Sequence, residues 1–125
     1  MKLLSLLLLL CCIGCQQVQT TYPSQKIEHI VLVWLKDSST QNKERVMKAS
    51  KILFEIKELK AMTMGEPIPS NRTIVDDTFD IGYVMTFDNE KAMNDYLIHP
   101  IHVKLVNEVL KPSMEKVLVY DIDTK

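Results

Sequence analysis

The stretch Ile27-Glu28-His29-Ile30-Val31-Leu32-Val33-Trp34-Leu35 is apolar at nearly every position after Glu28. Its β-branched and aromatic residues mark it as a strand. Successive strand side chains point to opposite faces, so both faces of this strand are apolar and both need a cover. One face, with Ile27, His29, Val31, Val33 and Leu35, can lie against the chain's own helices. The other face calls for a second layer, which a partner subunit can supply. A folded body of this size buries only about 60 to 70 per cent of its chain's surface, which also favours association.

The remaining elements follow from periodicity. Lys36 to Thr40 supplies turn and N-cap chemistry. From Gln41 the pattern is helical, with Val46, Ala49, Leu53 and Ile56 on one stripe, widened by Met47, Ile52 and Leu59. Met62 to Ile68 reads as a short edge strand, and Ser70 to Thr78 as a polar loop whose Asp76 and Asp77, with Asp80 beyond, are turn formers rather than metal ligands. Phe79, Ile81, Tyr83, Met85 and Phe87 alternate as a half-buried strand. Asp88 caps a helix from Asn89 whose face is Ala92, Met93, Tyr96 and Leu97. His99 precedes a proline and ends that helix. Pro100 opens a second helix that runs to Leu110, where Lys111-Pro112 stops it. Met114 to Asp121 is the last strand. Strand, helix, strand, strand, helix pair, strand is the split β-α-β order of α+β, ferredoxin-like folds, with four antiparallel strands and helices on one face.

The helix pair carries the candidate chemistry. Leu105, Val106 and Val109 follow His102 at three, four and seven residues, so His102 heads an apolar stripe and points inward. A buried polar group needs a partner or a task. A histidine in a first helical turn feels the positive end of the dipole and stays neutral near pH 7, able to accept a proton. Tyr96 can orient a substrate or donate a proton beside it. The plainer reading is that His102 bonds Tyr96 or a backbone carbonyl and stiffens the junction, with His99 capping it. Pro100 turns His99 away from His102, so the pair is read as no metal site. Tyr83, Met85, Phe87 and Met93 are read as core or pocket lining.

The first segment stands apart from this body. Met1-Lys2 followed by the apolar run from Leu3 is too short to span a bilayer, which takes roughly 20 residues, and reads as a secretory signal. All three cysteines lie within positions 11–15. Cys12-Ile13-Gly14-Cys15 resembles the lipobox of bacterial lipoproteins, which implies cleavage after Gly14 and a lipid anchor on Cys15. Cys12 stands where that motif usually has Leu. The resulting expectation is a signal peptide over 1–14, a tether over 15–26 and a folded domain over 27–121. The location implied is extracytoplasmic and membrane-anchored, with the outer membrane favoured because Gln16 is not an Asp. Removing Lys2 with the leader leaves 14 basic against 16 acidic residues, a net charge of −2. With no basic run or aromatic-interleaved patch, nucleic acid is excluded as a partner.

Three segments carry a family resemblance. Ile27-x-His29-Ile30-Val31-Leu32, Tyr83-Val84-Met85-Thr86-Phe87, and Tyr96-x-x-His99-Pro100-x-His102 before Val117-Leu118-Val119-Tyr120-Asp121 resemble the Dabb family, the stress-responsive A/B barrel proteins. The resemblance implies a homodimeric α/β barrel of two ferredoxin-like sheets. It also implies a ligand pocket formed by His29, Val31, Val33, Tyr96, His102, Leu105 and Val106. One enzymatic branch, plant polyketide cyclases similar to olivetolic acid cyclase, closes a ring without a cofactor. Its catalytic His and Tyr match His102 and Tyr96. Where that branch has glycines, this chain has Lys104 and Val106, and it has one extra residue near Lys111 to Ser113, which argues against a bulky polyketide. The expected function is a lipid-anchored, dimeric module binding a small apolar ligand. The alternative is a cofactor-independent lyase or cyclase with His102 as base. A continuous pocket of about 300 Å³ or more that reaches Tyr96 and His102 favours a ligand binder or an enzyme, whereas a packed interior with His102 satisfied by protein atoms speaks against the cyclase.

Overall fold

The computed structural model describes residues 25–125. The leader and Cys15 lie outside the described residues. The order is β1 (Ile27–Leu35), α1 (Thr40–Ser50), β2 (Leu59–Gly65), β3 (Ile81–Phe87), α2 (Glu90–Leu97), α3 (Pro100–Leu105) and β4 (Met114–Asp123). A 3₁₀ turn, Lys51–Glu55, follows α1. Between α3 and β4 the chain makes a π-helical turn, Val106–Leu110, and one last helical turn, Lys111–Ser113. The sheet order is β2-β3-β1-β4, antiparallel throughout, with the helices on one face. The fold is ferredoxin-like, as the element order implies.

Local chemistry sets the element ends. Ser39 caps α1 by accepting from the Asn42 N–H, and Asn89, one residue later than the expected Asp88, caps α2 by accepting from Ala92 N–H at 2.9 Å. The first helix ends earlier than its apolar stripe suggests. Leu53 lies in the 3₁₀ turn, and Ile56 follows it in an extended conformation. Both are buried, while Ile52 is 42% exposed and Leu59 belongs to β2 instead. That strand also starts and stops earlier than expected, because Pro67 and Pro69 cannot donate to a ladder and Ile68 stands in solvent. A register shift between Leu59 and Ala61 turns both Leu59 and Met62 toward the core. At the other end, β4 continues to Asp123, and Lys26 is tied to Thr124 through backbone and side-chain bonds of 2.8–3.1 Å.

The core lies between sheet and helices, with Val33, Ile81, Phe87, Val46, Ile56 and Tyr96 almost wholly buried. Among the described residues, no helix lies over the opposite face of the sheet. There Ile30 lies between Val84 and Tyr120, and Leu32 between Gly82 and Leu118. At Gly82 on this face a Cβ would come within 3.2 Å of the Phe79 ring, which would have to give way by a few tenths of an ångström. Trp34 is also on this side, edge-on to Phe79, with the Lys116 amine 4.0 Å over its ring. Trp34 and His102 are therefore on opposite faces of the sheet. The loop acids bond locally: Asp76 accepts from Thr78, Asp77 from the Ser70 N–H and Asp80 from the Leu35 N–H.

Candidate functional site

Pro100 occupies the first turn of α3, and His99 is its N-cap, with Nδ1 accepting from the Ile101 N–H at 3.2 Å. Two residues beyond the proline, His102 turns inward and its Nδ1 lies 2.9 Å from the Leu97 carbonyl oxygen. That carbonyl closes α2 and would otherwise lack a helical partner. Since a carbonyl only accepts, Nδ1 carries the proton, and in the neutral ring Nε2 keeps its lone pair. No protein group bonds Nε2 among the described residues. Burial holds the His102 pKa below its ordinary 6.5, partly opposed by the Leu97 carbonyl and reinforced by His29 and His99. The neutrality expected from a helix dipole thus arises chiefly from desolvation.

Tyr96 meets His102 through its ring rather than its hydroxyl. The ring centroids are 4.6 Å apart and tilted by 50°. The hydroxyl donates to Met85 Sδ at 3.2 Å, and burial pushes its pKa well up. Tyr96 is packed between His102 and Phe87, whose centroid is 4.9 Å away. A second hydroxyl pair lies deeper. Ser50 donates to the Val46 carbonyl, so the Tyr83 hydroxyl, 3.0 Å from Ser50 Oγ, is the donor of that pair.

The third participant is His29 on β1. Its Nδ1 lies 2.6 Å from Asp121 Oδ1, and the two residues are cross-strand neighbours in the β1–β4 ladder. The carboxylate accepts, so here too Nε2 is the nitrogen left over. Asp121 is a site residue that the sequence reading placed only at the end of the last strand. Its signal is the strand register, since an acid 92 residues away in sequence reveals itself only once the pairing is known.

These side chains line one cavity of about 210 Å³. His29, Val31 and Val33 form its sheet wall, and Tyr96, His102, Leu105 and Val106 form its helix wall. The seven residues assigned to a pocket from sequence are thus brought to one place. The cavity is smaller than 300 Å³, and Val106, Leu110 and Met114 are among the residues that line it, whereas Lys104 is exposed and takes no part. Val117 and Val119 of β4 line it yet remain 42% and 44% exposed. One member of the expected stripe is replaced. The π-helical turn adds a residue per turn, so Leu110 rather than Val109 lies on the wall beyond Leu105 and Val106. Chemically, the site offers an apolar chamber in which the Nε2 of His102 is able to accept a hydrogen bond or a proton.

Comparison with known proteins places this geometry in a family. The profile of the stress responsive A/B barrel domain, Dabb, matches residues 27–124. The chain belongs to the Dabb family. A Dabb protein of Mesorhizobium loti with a ferredoxin-like fold is 27% identical, covering 81% of this chain and 98% of its own, with a TM-score of 0.68. A dimeric ferredoxin-like protein of unknown function from Bacteroides fragilis is 23% identical over 79% of this chain and 96% of its own, at a TM-score of 0.62. The hydroxynitrile lyase of Passiflora edulis shares the fold at 21% identity and a TM-score of 0.70, covering 82% of this chain and 96% of its own. No curated protein sequence matches the chain.

Proposed function

We propose that this Dabb protein is a lipid-anchored, homodimeric module that holds a small apolar ligand between its sheet and helices. The observation behind the reading is the apolar cavity of about 210 Å³ that His29, Tyr96 and His102 share. An apolar cavity of about 150 Å³ is enough to take up benzene. A molecule of one ring with a short substituent matches the space. Dimerisation is supported by the uncovered apolar face of the sheet and by dimeric relatives such as that of Bacteroides fragilis. Anchoring rests on Cys15 and its leader, with the domain held outside the cytoplasm and the outer membrane the favoured site. Titration of the purified protein with toluene, followed calorimetrically, tests the ligand reading: saturable binding at one site per chain is expected, and its absence sinks it. For the anchor, Cys15→Ser is expected to move the protein from the membrane fraction to the soluble one. Continued membrane association of the variant would remove Cys15 as the lipidated residue.

A second reading is favoured by the hydrogen bonds at the histidines. With Nδ1 of each ring held by an acceptor, Nε2 of His102 is placed to take a proton from a bound substrate and return it to the product, as a cofactor-independent lyase or cyclase requires. Tyr96, expected as the orienting acid, is proposed to orient the imidazole through its ring, since its hydroxyl is given to Met85 Sδ; His102 itself returns the proton. The Passiflora relative, named a hydroxynitrile lyase, supports this reading at the level of fold. Turnover of an aromatic hydroxynitrile that disappears in His102→Gln is the expected result. No turnover across carbon acids and hydroxynitriles leaves the binding module.

A further inference from the structure

The wall of the cavity contains an irregularity that periodicity does not anticipate. After α3 the backbone makes a π-helical turn, Val106–Leu110, closed by the Lys111 N–H bonding back to the Val106 carbonyl. An α-helix continued from His102 would place Val109 on the inward stripe. The π turn holds one residue more, so the inward position passes to Leu110, and the exposed Asn107 and Glu108 form the outward bulge. Leu110 then lies on the cavity wall with Val106 and Met114. Val109 packs against the core without reaching the cavity.

We propose that Leu110, seated by the π-helical turn, is the specificity-determining residue of this cavity and limits its ligand to a single small ring with a short substituent. The inference rests on the cavity being a ligand site. A leucine in this place closes the space that a longer chain would need, and the valine of a regular helix would fill less of it. Because Leu110 is partly buried and packs at the edge of the core rather than in its fully buried layer, shortening it enlarges the cavity and leaves Tyr96 and Phe87 in place.

The Mesorhizobium relative consists almost wholly of the matched domain, with 98% of its chain covered, so residues 25–125 form a self-sufficient unit for the test. Toluene and n-butylbenzene serve as probes, titrated calorimetrically into the wild type, Leu110→Ala and Val109→Ala. The wild type is expected to bind toluene roughly 10-fold more tightly than n-butylbenzene, a difference of about 1.4 kcal/mol. Leu110→Ala reverses that order, and Val109→Ala leaves it unchanged. Should Leu110→Ala fail to fold, Leu110→Phe replaces it and is expected to weaken toluene by about the same factor. An unchanged order in Leu110→Ala, unchanged toluene affinity in Leu110→Phe, or a reversal in Val109→Ala overturns the role of Leu110 while the ligand site stands. If the wild type binds neither probe, the ligand site falls and the inference with it.

Discussion

His102 shows how one side chain can serve structure and chemistry together. Its Nδ1–H satisfies the last carbonyl of α2, and its Nε2 is left free because nothing else reaches it. Burial depresses its pKa from the ordinary 6.5. As pH falls, the unfolded ring therefore takes up a proton before the folded one does, so the folded protein loses stability. This contribution is complete above about pH 6.5 and declines below it. The thermal midpoint of the wild type is expected to fall more steeply between about pH 7 and pH 5 than that of His102→Gln. His29 and His99 remain in both proteins, so parallel curves would rule out His102 as the source. Asp121 acts differently. It is nearly half exposed, so Asp121→Asn is expected to cost less than about 1 kcal/mol in denaturant unfolding. What it removes is the fixed tautomer, and the ring ¹⁵N resonances of His29 are expected to show both neutral forms. A single unchanged tautomer would mean that Asp121 does not set it.

At the scale of elements, helix ends and one irregular turn decide where the site residues fall. The Asn89 cap holds the start of α2, the helix that carries Tyr96. Asn89→Ala is expected to lower stability by about 1 kcal/mol, measured by urea unfolding. The π turn absorbs one extra residue. Deleting Glu108, an exposed residue of that bulge, should let the turn close as a regular helix. Leu110 would then lie four residues after Leu105 and keep its inward place. The deletion is expected to leave the thermal midpoint unchanged or raised, a rare outcome for removing a residue from a helical segment. A fall of several degrees would show that the π turn is held by contacts beyond its own backbone.

For the whole molecule, the two apolar faces of β1 meet different fates within one chain. One is buried under α1, α2 and α3; the other leaves Val84, Tyr120 and Ile122 between 42% and 51% exposed. Such a face favours association with another surface of its kind. Light scattering of residues 25–125 at micromolar concentration is expected to give a dimer, and Tyr120→Glu a monomer that stays folded. A monomeric wild type would leave the open face without the partner proposed for it.

Periodicity and turn chemistry alone determined the strands around Ile27–Leu35 and Ile81–Phe87, the break at His99-Pro100, and the inward direction of His102. These are local properties, set by which side chains lie two, three or four positions apart. The early end of α1 and the shift of β2 were not legible, because Leu53 and Ile56 fit a helical stripe by spacing although Ile56 is buried from an extended backbone. The tertiary structure decided what lies across space. Strand register pairs His29 with Asp121, the C-terminal carbonyl of α2 holds His102, and packing gives the Tyr96 hydroxyl to Met85. The π turn exchanges Val109 for Leu110 because a helix with one residue too many must bulge outward, where solvent offers no resistance, to keep β4 in its ladder. A linear pattern cannot contain that choice, since it depends on where the chain has to arrive.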